Sequence, residues 1–240
     1  MTATATKTVR DLVLENPNAT RVFEKLGIDY CCGGMKSLEE ACGEKKLSLN
    51  AVLKSLEEAA HSPAEPKREW KPAPLADLIA QIVDKHHKFT REEIIRLNAL
   101  LEKVCGVHGK NHPELLTIRE SFRGLAQELS THLMKEEMIL FPYILRMEEA
   151  VLQREPILPG PFGKVENPVR TMMQEHDSAG NALKAMREAS ANYAPPSDAC
   201  VSFRTLYQAM EAFEADLHQH IHLENNVLFP RAIALEEGKS

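Results

Sequence analysis

Aromatic residues are scarce in this chain, and long apolar runs are missing altogether. Its 240 residues include one Trp, four Tyr and eight Phe, so any core has to be built mainly from Leu, Val, Ile, Met and Ala. No stretch approaches the roughly 20 consecutive apolar residues that cross a bilayer. The opening Met-Thr-Ala-Thr-Ala-Thr-Lys-Thr lacks the apolar centre of a signal peptide, so a cytoplasmic location with no membrane partner is expected. An excess of positive charge is also lacking. The net charge of -6, with no Lys/Arg-dense stretch, excludes a nucleic-acid footprint. The five cysteines are an odd number and too few for a disulfide scaffold. In a reducing compartment they are free thiols, metal ligands or redox groups. Nothing alternates with period two over a useful length, so no sheet is expected.

What is present reads as all-α in two parts. Residues 1–61 form a small helical domain, 62–74 a linker and 75–240 a four-helix bundle. In the first part, Val9, Leu12 and Val13, then Val22, Phe23 and Leu26, suggest two short helices around Asn16-Pro17-Asn18. Ser48 or Asn50 starts another through residue 60, and Gly33-Gly34 marks a turn. The linker carries four prolines among charged residues. Helical i, i+3, i+4, i+7 spacing then recurs over about 75–104, 114–149, 166–190 and 198–235. Turn residues separate these patterns, and four such helices with short connections make a bundle.

One pattern is written twice. His132-Leu-Met-Lys-Glu136 leads to Leu140-Phe141-Pro142, and His220-Ile-His-Leu-Glu224 leads to Leu228-Phe229-Pro230. Both read H-x3-E-x3-L-F-P. Each has a histidine upstream on another helix, His86 for the first and His176 for the second, at separations of 46 and 44 residues. Helix positions i and i+4 project from one face, here the apolar stripe with Leu129, Leu140, Leu217 and Leu228. A buried ionised carboxylate is costly unless paired or coordinated, so the pattern points to bound cations. Four imidazoles and two carboxylates suit iron first, with manganese and zinc open. Six ligands serve two ions if His86, His132, Glu136, His176, His220 and Glu224 are the set and the carboxylates bridge. Coordination positions then remain for an oxo or hydroxo bridge and a small exogenous molecule. His87 is expected to point away from the ligand face, toward solvent or behind the ligands, and His218 and His222 away from the core. Glu128 and Glu175 each either orient an imidazole or belong to a solvated face.

Cys31-Cys32, followed by Gly33-Gly34, is a separate signal. Adjacent cysteines close only a strained disulfide ring. As thiolates they bind soft metals, iron-sulfur clusters or partner thiols; as thiols they could equally be small buried packing residues. Cys42 is a possible third ligand or resolving thiol, and Cys105 and Cys200 read as packing residues near helix ends.

The combination of Asp29-Tyr30-Cys31-Cys32-Gly33-Gly34 with the repeated H-x3-E-x3-L-F-P resembles the Repair of Iron Centers family, the iron-sulfur cluster repair di-iron proteins. The stretch Leu-Glu-Asn-Asn-Val-Leu-Phe-Pro-Arg ending at Arg231 is especially similar. The resemblance implies a hemerythrin-like antiparallel four-helix bundle holding two non-haem irons per chain, bridged by oxo or hydroxo and by the two glutamates. The same six residues would be the metal ligands, with Cys31 and Cys32 as the cofactor-binding vicinal pair. It further implies a cytoplasmic homodimer acting on proteins whose iron-sulfur clusters were damaged by nitrosative or oxidative stress, by supplying iron. A di-iron nitric oxide reductase making nitrous oxide, or a nitric oxide sensor or scavenger, are the alternatives. The residues alone do not decide whether the chain is an enzyme.

Overall fold

A computed structural model describes residues 5–60 and 73–238. The expected linker, apart from its last two residues, lies outside the described residues, as does His61. Among the described residues there are two isolated bridges and no strand, and no helix is long and apolar enough to cross a membrane. The fold is all-α. The chain divides into two compact units, Met1–Pro74 with His218–Pro230, and Leu75–Leu217 with Arg231–Ser240.

The first unit begins with four short helices, α1 (Val9–Glu15), α2 (Ala19–Leu26), α3 (Leu38–Glu44) and α4 (Leu49–Ala60). Thr8 caps α1 by accepting from the Asp11 N–H, and α3 carries a full capping box between Ser37 and Glu40. Gly27 ends α2 at φ 65°, in the left-handed region that a glycine adopts without strain. None of these helices is long enough to be stable by itself. They hold together by burying Val9, Leu12, Phe23, Leu38, Val52 and Leu56 around Tyr30.

The second unit contains the bundle. Its first run is α5 (Leu75–Gln81), a π-helical stretch Ile82–His87 (π1) and α6 (Lys88–His108). The second is α7 (Glu114–Lys135), π2 (Glu136–Leu140) and α8 (Phe141–Gln153), and the third is α9 (Glu166–Ala189). The fourth run is α10 (Val201–Leu223), π3 (Glu224–Leu228) and α11 (Phe229–Glu236), of which residues 201–217 and 231–236 belong to this unit. Helix α7 packs on both α6 and α9, and α5 on α8. Phe122 and Phe213 meet edge to face at 5.7 Å in the interior. Two carboxylates tie helix starts to distant partners. Glu148 accepts from the Leu75 and Ala76 N–H groups at 2.6 and 2.9 Å. Glu236 accepts from the Val165 N–H and from the Tyr143 hydroxyl. Both answer the unpaired donors and positive end of a helix N-terminus.

The three π stretches are where sequence and geometry meet. A π turn closes i to i+5 and admits one extra residue, and such turns gather at functional sites. Pro142 and Pro230 have no N–H for the carbonyl four residues back and would crowd it. A widened turn immediately before each relieves that conflict. Glu136 and Glu224 are the first residues of π2 and π3, and His87 is the last of π1.

Candidate metal centre

In the bundle unit, His87, His132, Glu136 and His176 are all buried. His132, Glu136 and His176 offer ligand atoms within 4.8 Å of one another, and His87 does so with Glu136. His132 Nε2 lies 3.3 Å from Glu136 Oε1, and His87 Nε2 lies 3.5 Å from Glu136 Oε2. His176 Nε2 is 3.1 Å from His132 Nε2. Neither oxygen of Glu136, which is fully buried, accepts a hydrogen bond.

The far sides of the His132 and His87 rings are each fixed by a carboxylate. His132 Nδ1 meets Glu175 at 2.7 Å and His87 Nδ1 meets Glu137 at 2.6 Å. With the proton on Nδ1 donated to the carboxylate, the lone pair on Nε2 faces Glu136. Burial pushes Glu175 up, but hydrogen bonds from Lys135 and His132 outweigh it and hold its carboxyl below the usual range. Glu137 behaves alike: burial raises it, and His87 and Arg91 bring it below the usual carboxylate value. The Nε2 lone pairs of His132 and His87 thus face a carboxylate whose own oxygens accept no hydrogen bond. Such an assembly of buried acceptors is unfavourable in an apolar interior, and a cation at their common focus removes the conflict. The chemistry of the donor set therefore fits a metal ion.

His86 was the expected ligand on this run. Its Nδ1 is 3.0 Å from Asp216, and it is His87 that stands at Glu136. On an uninterrupted α-helix His86 would follow Leu78 and Ile82 along one stripe. Because π1 admits one extra residue after Ile82, the next residue on that stripe is His87. Glu175 does orient an imidazole, while Glu128 is exposed at the rim of a small cleft beside His132 and His176.

In the first unit, His220 and Glu224 are both buried, with His220 Nε2 3.1 Å from Glu224 Oε1. The segment that carries them also holds the cysteine turn. The side-chain amides of Asn225 and Asn226 donate to the Cys31 carbonyl at 3.4 Å, and Asn226 also donates to the Tyr30 carbonyl at 3.3 Å. Arg10 donates to the Asn226 carbonyl at 2.8 Å. The Tyr30 ring meets His218 and His222 edge-on, with centroids 6.1 and 5.7 Å away. His222 accepts from Asn226 at Nδ1 and bonds the Tyr30 backbone. Burial pushes its imidazole down to about 4, so it is a neutral structural contact. The expectation that His218 and His222 face away from the core overlooked Tyr30 as their partner.

Cys31 and Cys32 lie together with Asp29. The Asp29 carboxylate accepts from the N–H groups of Cys31, Cys32 and Gly33 at 3.0, 2.9 and 2.9 Å. Cys31 Sγ is 3.3 Å from Asp29 Oδ1 and 3.7 Å from Cys32 Sγ. The Cys32 hydrogen bond, burial and the Asp29 charge push the Cys31 thiol well above its ordinary value. Cys42 is not part of this group: it is buried in the core of the short helices, where it acts as a small apolar residue. Cys105 is buried as expected. Cys200 is exposed, with its Sγ 3.2 Å from His108 Nε2, and so is not a packing residue.

The sequence profile of the hemerythrin HHE cation binding domain matches residues 78–232, and that of the ScdA_N domain of unknown function matches residues 5–60. The chain is 37% identical over 223 residues to the iron-sulfur cluster repair protein YtfE of Pectobacterium carotovorum, covering 93% of this chain and 95% of that one. A probable iron-sulfur cluster repair protein of Haemophilus influenzae is 36% identical, covering 95% and 97%. The Escherichia coli YtfE is 35% identical, covering 94% and 96%.

Proposed function

From the premise that this chain belongs to the iron-sulfur cluster repair family and carries its hemerythrin cation binding domain, we propose that it restores damaged iron-sulfur clusters by supplying iron. His87, His132, Glu136, His176, His220 and Glu224 would hold two ions, with each glutamate shared between them. His87 takes the place that spacing assigned to His86. The observation that carries this reading is Glu136, a fully buried carboxylate whose two oxygens accept no hydrogen bond while imidazole nitrogens stand 3.3 and 3.5 Å away. The repeat supports extending the set to His220 and Glu224, which reproduce the His132/Glu136 pair at the same spacing in the same L-F-P context.

An iron pair held by imidazoles and carboxylates supplies ions that are bound less tightly as iron(II) than as iron(III), so reduction favours release. The chain's own residues prepare that site. Glu175 and Glu137 keep protons on Nδ1 of His132 and His87, so that Nε2 remains a ligand. Lys135 and Arg91 in turn hold those two carboxylates. Apolar residues such as Leu129 and Leu140 exclude water around the ligands. The recipients would be proteins with damaged iron-sulfur clusters, and the free thiols at Cys31 and Cys32 suit a reducing, cytoplasmic setting.

The test is metal content and Mössbauer spectroscopy of anaerobically purified protein, beside the Glu136→Ala/Glu224→Ala variant. Two exchange-coupled irons per chain in the parent, lost in the variant, together with recovery of a cluster enzyme damaged by nitric oxide, is the expected result. Stoichiometric zinc, or nitrous oxide formed over multiple turnovers without cluster recovery, would overturn the proposal.

A further inference from the structure

We propose that Asp29, Cys31 and Cys32 form a further cation site, which takes one thiophilic divalent ion through two thiolates and a carboxylate oxygen. This deepens the repair reading, since it gives iron a thiolate-lined station outside the histidine-carboxylate centre, although the site can be tested without that reading.

The sulfur positions are the first argument. At 3.7 Å apart the two sulfurs are far from the disulfide length of about 2.05 Å. Two thiolates each about 2.3 Å from a tetrahedral ion stand about 3.8 Å apart, which is close to the separation seen. The Asp29 oxygen at 3.3 Å from Cys31 Sγ lies near a mixed oxygen-sulfur edge of the same figure. Asp29, Cys31 and Cys32 all offer ligand atoms within 4.8 Å of one another. Cys42, by contrast, points into an apolar core, so the vicinal pair is not simply packing in the same way.

The second argument is how the turn is held. Three backbone N–H groups occupy three of the roughly four lone-pair sites of the Asp29 carboxylate. Two of them, from Cys31 and Cys32, share Oδ1, which the Cys31 thiol also approaches, and the Gly33 N–H takes Oδ2. A divalent ion would replace the thiol proton facing Oδ1, with loss of one proton from each thiol; the site charge stays at -1, because two added thiolate charges are offset by the ion. The glycines are required by the closeness of the turn. A Cβ on Gly33 would lie 3.0 Å from Asp29 Oδ2, and one on Gly34 only 2.7 Å from the Tyr30 carbonyl oxygen. Outside the turn, Asn225 and Asn226 grip the Tyr30 and Cys31 carbonyls. The ligands are therefore positioned before an ion arrives, which lowers the ordering cost of binding.

The third argument is access. Cys31 is buried, but Cys32 is partly exposed and Asp29 is exposed. Three protein ligands leave a fourth tetrahedral position open, whereas sites that only stabilise a fold are closed by four. The open position suits an incoming thiolate or sulfide donor of a recipient protein.

Anaerobic titration of the full-length protein with cobalt(II) tests the site. The histidine-carboxylate centre contains no sulfur, so thiolate-to-cobalt charge-transfer absorption in the near ultraviolet reports only cysteines. A Cys200→Ser background removes the exposed thiol beside His108. One cobalt beyond the bundle complement, with a charge-transfer band of two-thiolate intensity, is the expected result. Cys31→Ser and Cys32→Ser should each weaken this uptake by more than about tenfold, the least that loss of even an outer hydrogen-bond partner produces. Asp29→Asn should do the same while its amide oxygen still caps the Cys31 and Cys32 N–H groups. Retained helical circular dichroism and bundle cobalt bands would show that these variants fold. Absence of the charge-transfer band in a protein whose bundle fills with cobalt would refute this site and leave the bundle reading intact. A band that persists when both cysteines are replaced would refute it too. A thiolate band with the bundle empty would support this site and overturn the other.

Discussion

Replacing Glu136 by Met should stabilise the metal-free protein while abolishing its response to metal. Glu136 is fully buried, and neither carboxylate oxygen accepts a hydrogen bond. An unsatisfied buried polar group costs about 1–3 kcal/mol, and more if charged. Methionine has a similar length, is apolar and adapts to irregular space, so the substitution should recover about 1–3 kcal/mol in metal-free protein. For a chain of this size each kcal/mol moves the midpoint of thermal unfolding by about 2–4 °C, giving a rise of about 2–12 °C. The parent should gain stability from an ion that binds only the folded state, about 2.7 kcal/mol at a free concentration one hundred times Kd. In Glu136→Met that increment should vanish. Thermal unfolding followed by circular dichroism at pH 8, with chelator and with iron(II) under anaerobic conditions, measures both effects. A metal-free variant less stable than the parent, or one with an undiminished metal increment, would refute the claim that Glu136 is held in place for a cation.

Three further outcomes follow from the same geometry. His87→Gln should lose cobalt(II) binding to the bundle, whereas His86→Gln, which alters the contact with Asp216, should retain it; ligand-field absorption distinguishes the two. Glu175→Gln keeps the size of the side chain but weakens its hold on His132 Nδ1, and should lower metal affinity about 10–100-fold with little change in fold, as read by competition with a chromogenic chelator. Away from the centre, hydrogen bonds to Asp198 and Glu114 raise the His112 imidazole above its ordinary value. Its stabilising contribution is thus fully present below the unfolded value of about 6.5 and lost as pH rises through the higher folded value. An NMR titration should show the His112 midpoint falling in Asp198→Asn, and an unchanged midpoint would remove Asp198 as the cause.

The parts of this molecule that a sequence reveals are those in which chemistry repeats with the period of the helix. The four runs were legible because their apolar residues recur at i, i+3, i+4 and i+7, and His132/Glu136 with His220/Glu224 because i and i+4 share a face. That same regularity pointed to His86, whereas His87 is the histidine beside Glu136, since π1 breaks the period by one residue where no proline announces it. The π turns before Pro142 and Pro230 did have a signal, the missing N–H, but its effect is on backbone geometry and not on hydrophobic pattern. Helix α3 was missed although Ser37 and Glu40 spell a capping box, because its apolar residues are too few to show a period. The grip of Asn225 and Asn226 on the cysteine turn joins residues 194 to 196 positions apart, beyond any local rule. Yet the two repeats contain a trace of it. Where the second has His222 and Asn226, both buried, the first has Met134 and Met138, both exposed. The metal-binding pattern is kept in both copies, and the departure from it falls on the face that only one copy uses to hold Tyr30 and Cys31. Between duplicated motifs, the positions that differ thus indicate a contact one copy makes and the other lacks, just as the positions they share indicate the ligands.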